Sequence, residues 1–157
     1  MSDLIIAFDI DGVIVQDINT KRSKEDQLKG VHAREFFRPI LPVVAILDAL
    51  KPKDYWFITG RPECDSRQTM DYMKEHFLDL NWCPILLGNK KVATHEQSAA
   101  FKLEQCVFRS VNVFIESNPK VVALMKADLA KYHPTYNLKI FTLAELILSG
   151  LQCEIES

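Results

Sequence analysis

A chain of 157 residues, 48% apolar and 25% charged, is long enough for one domain with a buried core and has the composition of a globular protein. A formal net charge of −2 excludes a global electrostatic pull toward nucleic acid or anionic membranes. No apolar run approaches the ~20 residues that span a bilayer.

The first residues lack the basic start and small-residue cleavage site of a secretory signal, so a cytoplasmic location is expected. Cys64, Cys83, Cys106 and Cys153 are widely spread with no C-x-x-C pair, which argues for reduced thiols and against a zinc site. His32, His76, His95 and His133 are equally scattered and receive no chemical role.

Short apolar runs alternate with helical patterns along the whole length, the signature of an α/β fold with a parallel sheet. Strands are predicted over residues 4–10, 55–59, 85–87, 111–115 and 138–141, nearly continuous apolar runs suited to burial on both faces. Residues 13–34 are polar, carry Lys21, Arg22, Lys24, Lys29 and Arg34, and read as a flap over the end of the first strand. The spacing of Phe36, Val43, Val44 and Leu47 predicts a helix over 35–50, bent or divided by Pro39 and Pro42. Pro62 suits the first turn of a helix reaching about residue 77, with Glu63 and Asp65 complementing its dipole. Asn118-Pro119 offers a cap and a first-turn proline for a helix to about residue 132. Thr142 and Glu145 match a capping box, and Gly150 is a plausible stop. One domain, 1–157, is expected.

Three strand ends carry polar residues. The first is Asp9-Ile10-Asp11-Gly12, two carboxylates two residues apart before a glycine that permits a sharp turn. The second is Thr59-Gly60-Arg61-Pro62, a hydroxyl and backbone amides suited to holding an anion. The third is Glu116-Ser117-Asn118-Pro119. In a parallel sheet such ends meet at one edge, where ligands bind. Any one of these signals also has a plain turn-forming explanation; their convergence favours function.

Taken in order, Asp9-x-Asp11-Gly12, Thr59-Gly60-Arg61, a lysine, and Glu116 resemble the four motifs of the haloacid-dehalogenase-like superfamily, across nearly the whole chain. The resemblance implies a three-layer Rossmann-like fold with a five-stranded parallel sheet, order 5-4-1-2-3. It also implies a magnesium-dependent phosphatase working through an aspartyl-phosphate. Asp9 would be the nucleophile and Asp11 the general acid and base, while Thr59 and its amides would hold a phosphate oxygen. Gly60 and Arg61 would contact substrate. Asp9, Glu116 and the Asp11 carbonyl would ligate Mg²⁺, an oxygen-only set suited to a hard cation.

The catalytic lysine is preferred as Lys102, which fits if its helix starts near Ser98. A start at Thr94, where Thr94 to Gln97 mimics a capping box, would put Lys102 roughly 12 Å down the axis and favour Lys90 or Lys91. Glu116 stands where aspartate is more usual, and Ser117 where a second acid often follows, a departure that weakens the expected metal site. With residues 13–34 too short for a full cap domain, the chain resembles a capless enzyme. An open site suits a bulky substrate such as a nucleic-acid end or a phosphoprotein, or closure by another subunit, and the partner expected is a phosphorylated small molecule or nucleic-acid end. The Thr59-Gly60-Arg61 ending resembles nucleotidases and polynucleotide 3′-phosphatases. The alternatives are a phosphotransferase with the same residues, or a non-catalytic phosphate-binding or interaction domain. No membrane partner is expected.

Overall fold

The computed structural model describes residues 3–13, 42–62, 66–67, 69–71, 85–87 and 94–149. In chain order the elements are β1 (Ile5–Phe8), α1 (Pro42–Leu50), β2 (Asp54–Pro62), β3 (Ile85–Leu87), α2 (His95–Phe108), β4 (Val113–Glu116), α3 (Pro119–Tyr132), β5 (Lys139–Thr142) and α4 (Leu143–Ser149). Of the helix expected over 35–50 the described part is Pro42–Leu50; residues 35–41 and most of the predicted flap lie outside the described residues.

All paired strands are parallel, in the order β3-β2-β1-β4-β5. This is the order 5-4-1-2-3 expected for the sheet, read from its other edge, with the β3 edge less regular than expected. The four strands β2-β1-β4-β5 form the regular sheet, and β3 joins the outer side of β2 by a short ladder whose register shifts between Thr59 and Pro62. Pro62 explains part of that irregularity, because it has no N–H to donate. It therefore ends β2, paired with Leu87, and does not open a helix as expected. Between Pro62 and β3 the described residues, 66–67 and 69–71, are helical.

Period-two alternation splits the core into two layers. Ile6 and Phe8 of β1, Phe57 of β2, and Val113 and Ile115 of β4 pack with Ile46 of α1 and Leu146 of α4. Ala7, Ile58 and Phe114 face the other way, against Ala99, Leu103 and Cys106 of α2 and Val121, Val122 and Met125 of α3. Phe8 and Phe57, register partners on adjacent strands, place their rings 5.8 Å apart. Each fully buried side chain of this kind contributes about 1.5–3 kcal/mol. Among the described residues no helix is long and apolar enough to cross a membrane.

Local signals set the helix ends. Thr94 caps α2 in a complete box with Gln97, and the Asn118 side chain accepts from the Lys120 N–H ahead of Pro119. Thr142 accepts from the Glu145 N–H at 3.0 Å to start α4. At the far end of the sheet, Tyr136 donates to the Val111 carbonyl at 2.7 Å and holds the α3–β5 connection. With every strand pointing the same way, the carboxyl ends of β1, β2 and β4 open on one edge, flanked by the N-termini of α2 and α3.

Candidate active site

Asp9 follows directly on β1. Its N–H donates to the Ile115 carbonyl at 2.9 Å, extending the pairing with β4 and holding its backbone in place. The side chain is almost wholly buried, with Oδ1 3.2 Å from Lys102 Nζ and Oδ2 3.4 Å from Ser117 Oγ. β1 ends at Phe8, so Asp9 and Asp11 lie beyond the strand and their carboxyl groups meet different partners. Gly12 turns the chain at φ +79°, and a Cβ there would stand 2.6 Å from Ser117 Cβ. The glycine is needed both for its backbone angle and for the approach of the β4 end.

Asp11 is gripped by Arg61 of β2, Nε to Oδ2 at 2.8 Å and Nη2 to Oδ1 at 2.6 Å. Arg61 is itself only 2% exposed, and its Nη1 donates to Thr69 Oγ1 at 2.9 Å. Its N–H donates to Thr59 Oγ1 at 3.2 Å, tying the fully buried Thr59 to the same turn. Gly60 lies against the first turns of α2: a Cβ there would stand 2.9 Å from Ser98 Oγ.

Lys102 reaches Glu116 Oε2 at 2.6 Å as well as Asp9, and so bridges two carboxylates from adjacent strands. It does so although α2 is capped at Thr94, the start that was expected to put Lys102 out of range. Two features overturn that expectation. Helical Cα–Cβ bonds tilt toward the N-terminus, and a four-carbon stem extends back along the axis toward the strand ends. Gly60 also lets α2 lie close to β2, bringing the Lys102 face of the helix over the sheet edge. Lys90 and Lys91 lie outside the described residues.

Glu116 Oε1 accepts from the Ser117 and Asn118 N–H groups at 3.2 and 3.3 Å, so the carboxylate folds onto the N-terminus of α3. Ser117 Oγ donates to the Asp11 carbonyl at 2.9 Å and lies 3.4 Å from Asp9 Oδ2 and 3.5 Å from Glu116 Oε1. Three acceptor oxygens thus surround one hydroxyl that has a single proton.

Three carboxylates face two cations here, so one negative charge is left over when all five groups are ionised. Burial, and then the neighbouring Glu116, push the Asp9 carboxyl well above its ordinary range, with Lys102 acting against them. Burial alone would lower the pKa of Lys102, but Asp9 and then Glu116 overcome it and keep the ammonium charged. Among the described residues no group of three or more His, Cys, Asp or Glu side chains could hold a metal ion. The set that converges is two carboxylates and one main-chain carbonyl. Its oxygen chemistry, its under-supplied acceptors and its leftover charge fit a hard divalent cation.

Three features have no clear mark in the sequence. Thr69, the second anchor of Arg61, is one threonine among several polar residues. Ser98, one turn ahead of Lys102, is signalled only by the glycine it abuts. Ser117 looked like the loss of an acid, and nothing in its identity shows that its hydroxyl would hold the Asp11 carbonyl. At the rim, exposed His95 and half-buried Asn118 bring Nε2 and Nδ2 to 3.4 Å, joining the first turn of α2 to the cap of α3.

No protein-family model matches the chain, and no curated protein matches it. Among solved structures, a chain of the Pnkp1/Rnl/Hen1 complex is similar, with a TM-score of 0.58 at 14% identity. The match covers 90% of this chain but 46% of that one, so the present chain spans less than half its length. At this identity the likeness is one of fold.

Proposed function

We propose that this chain is a phosphomonoesterase of the haloacid-dehalogenase-like type, with Asp9 as nucleophile. The observation that carries this reading is the Lys102 ammonium bridging Asp9 and Glu116 at 3.2 and 2.6 Å, at the carboxyl edge of a parallel sheet. A buried carboxylate held by a lysine, beside an arginine fork, is suited to receive a phosphate dianion and attack it.

In the first half-reaction an Asp9 carboxylate oxygen bonds to phosphorus, the ester P–O bond breaks, and Asp11 gives its proton to the leaving oxygen. In the second, water bonds to phosphorus and loses its proton to Asp11 while the bond to Asp9 breaks. The Arg61 fork occupies both Asp11 carboxyl oxygens, at 2.8 and 2.6 Å. For the first half Arg61 must release Asp11, and the substrate phosphate is the acceptor that the fork prefers next. Thr59 and the following amides would receive the phosphoryl oxygens. A magnesium ion held by Asp9, Glu116 and the Asp11 carbonyl would supply neutralising charge.

A nucleic-acid end is the favoured substrate class. The Thr59-Gly60-Arg61 ending and the fold shared with a chain of the Pnkp1/Rnl/Hen1 complex support it, as would an open, capless edge. Serine at position 117 favours the second reading, a phosphate-binding domain without turnover. Hydrolysis of a generic aryl phosphate with and without magnesium, in wild type and Asp9→Asn, separates the two. Magnesium-dependent turnover lost in the variant supports the enzyme. Absence of turnover on aryl phosphates and on 3′- or 5′-phosphorylated oligonucleotides alike would sink it.

A further inference from the structure

Ser117 carries no charge and stands outside the Lys102 and Arg61 ion pairs. Its Oγ nevertheless lies within 3.5 Å of Asp9 Oδ2, the Asp11 carbonyl and Glu116 Oε1, the three oxygens of the converging set. The hydroxyl can serve only one of them at a time, and the shortest contact, 2.9 Å, goes to the Asp11 carbonyl.

We propose that Ser117 is the residue that sets divalent-cation affinity in this site, acting as a neutral stand-in at the point where the oxygens converge. A cation entering the free protein must displace the Ser117 hydrogen bond from the Asp11 carbonyl. It also meets Asp9 and Glu116 carboxylates already engaged by Lys102, and gains no charge from position 117. Affinity for such ions follows the number of charged oxygen ligands, so the free protein holds magnesium weakly. A phosphate dianion changes this, because it adds negative charge and oxygen ligands beside the same three atoms. Cation and phosphate therefore bind together, each tightening the other by the same factor. The inference rests on the metal-dependent reading above and adds to it the order of filling.

The test is calorimetric titration of magnesium chloride into the intact protein, with and without inorganic phosphate, for wild type, Ser117→Asp and Ser117→Ala. Ser117→Asp should bind magnesium about tenfold or more tighter than wild type without phosphate. Phosphate should tighten wild type by about tenfold and Ser117→Asp by less. Ser117→Ala, which removes the competing donor, should bind at least as tightly as wild type, and it carries the test if the aspartate variant fails to fold. Equal affinity in wild type and a folded Ser117→Asp overturns the inference, as does loss of binding in Ser117→Ala, which would make the hydroxyl a ligand. The readout needs no turnover. A protein inert toward every phosphate ester that still shows the Ser117→Asp gain would keep this inference and lose the phosphatase reading.

Discussion

Arg61 and Asp11 are fifty residues apart in sequence and meet as a two-point fork, Nε to Oδ2 at 2.8 Å and Nη2 to Oδ1 at 2.6 Å, with the arginine side chain 1% exposed. Removing one partner of such a pair leaves a buried charge without its counter-ion, which costs about 3–5 kcal/mol. Arg61→Ala should lower stability by that amount in denaturant unfolding. Arg61→Ala combined with Asp11→Asn should recover part of it, because no unpaired charge remains. Additive losses in the double variant would mean that the fork is not the stabilising unit. Arg61→Lys should fail to restore turnover, since an ammonium cannot hold both oxygens in one plane.

Lys102 bridges Asp9 and Glu116, and so its loss exposes both carboxylates to each other. Lys102→Ala should abolish aryl phosphate turnover, while Lys90→Ala and Lys91→Ala keep it. Lys102→Ala should also be destabilised by about 3–5 kcal/mol, an effect that shrinks when Glu116→Gln is added. Full activity in Lys102→Ala would remove this lysine from the chemistry.

The regular part of the fold is legible because its signals are local or periodic. The runs around Ile6 and Phe8, Phe57, and Val113 and Ile115 alternate across a sheet covered on both sides, and Asn118 and Thr142 each cap a helix as their side chains suggest, while α2 starts at Thr94 and not near Ser98. Asp9, Asp11, Thr59 and Glu116 could be placed at one edge because parallel strands end together. What failed depended on three-dimensional approach. Proline favours the first turn of a helix, yet pairing with Leu87 keeps Pro62 in β2. Residue rise along an axis understates the reach of Lys102, because it ignores side-chain tilt, stem length and the closeness that Gly60 permits. The Arg61 fork and the Ser117 hydrogen bond are long-range pairings that no spacing in the chain encodes.

Gly12 has φ +79° and faces Ser117 at a distance that leaves no room for a methyl group. Gly12→Ala combines left-handed backbone strain of about 1–3 kcal/mol with a clash against the β4 end. Its melting temperature should fall by several degrees, and turnover should fall further than stability explains, because the Asp11 carbonyl and Ser117 move apart. Gly60→Ala meets only a serine hydroxyl at 2.9 Å, which can rotate, and should be milder. Equal losses in the two variants would show that the backbone angle at Gly12 is not the controlling factor.

Asp9 offers a pH signature. Burial, reinforced by Glu116, raises its carboxyl above the ordinary 3.8, so the folded protein keeps this proton to higher pH than the unfolded chain does. The contribution to stability is therefore fully present below the unfolded value and is lost as pH rises through the folded one. Asp9→Asn cannot ionise and lacks that loss. The wild-type melting temperature, measured from about pH 4 to about pH 8 without divalent cations, should fall relative to Asp9→Asn as pH increases. Excess magnesium should shrink the gap at the upper end, because the cation binds the ionised carboxylate and offsets its burial. A gap independent of pH would mean that Lys102 already compensates Asp9 fully. The leftover negative charge would then reside on another group of the cluster.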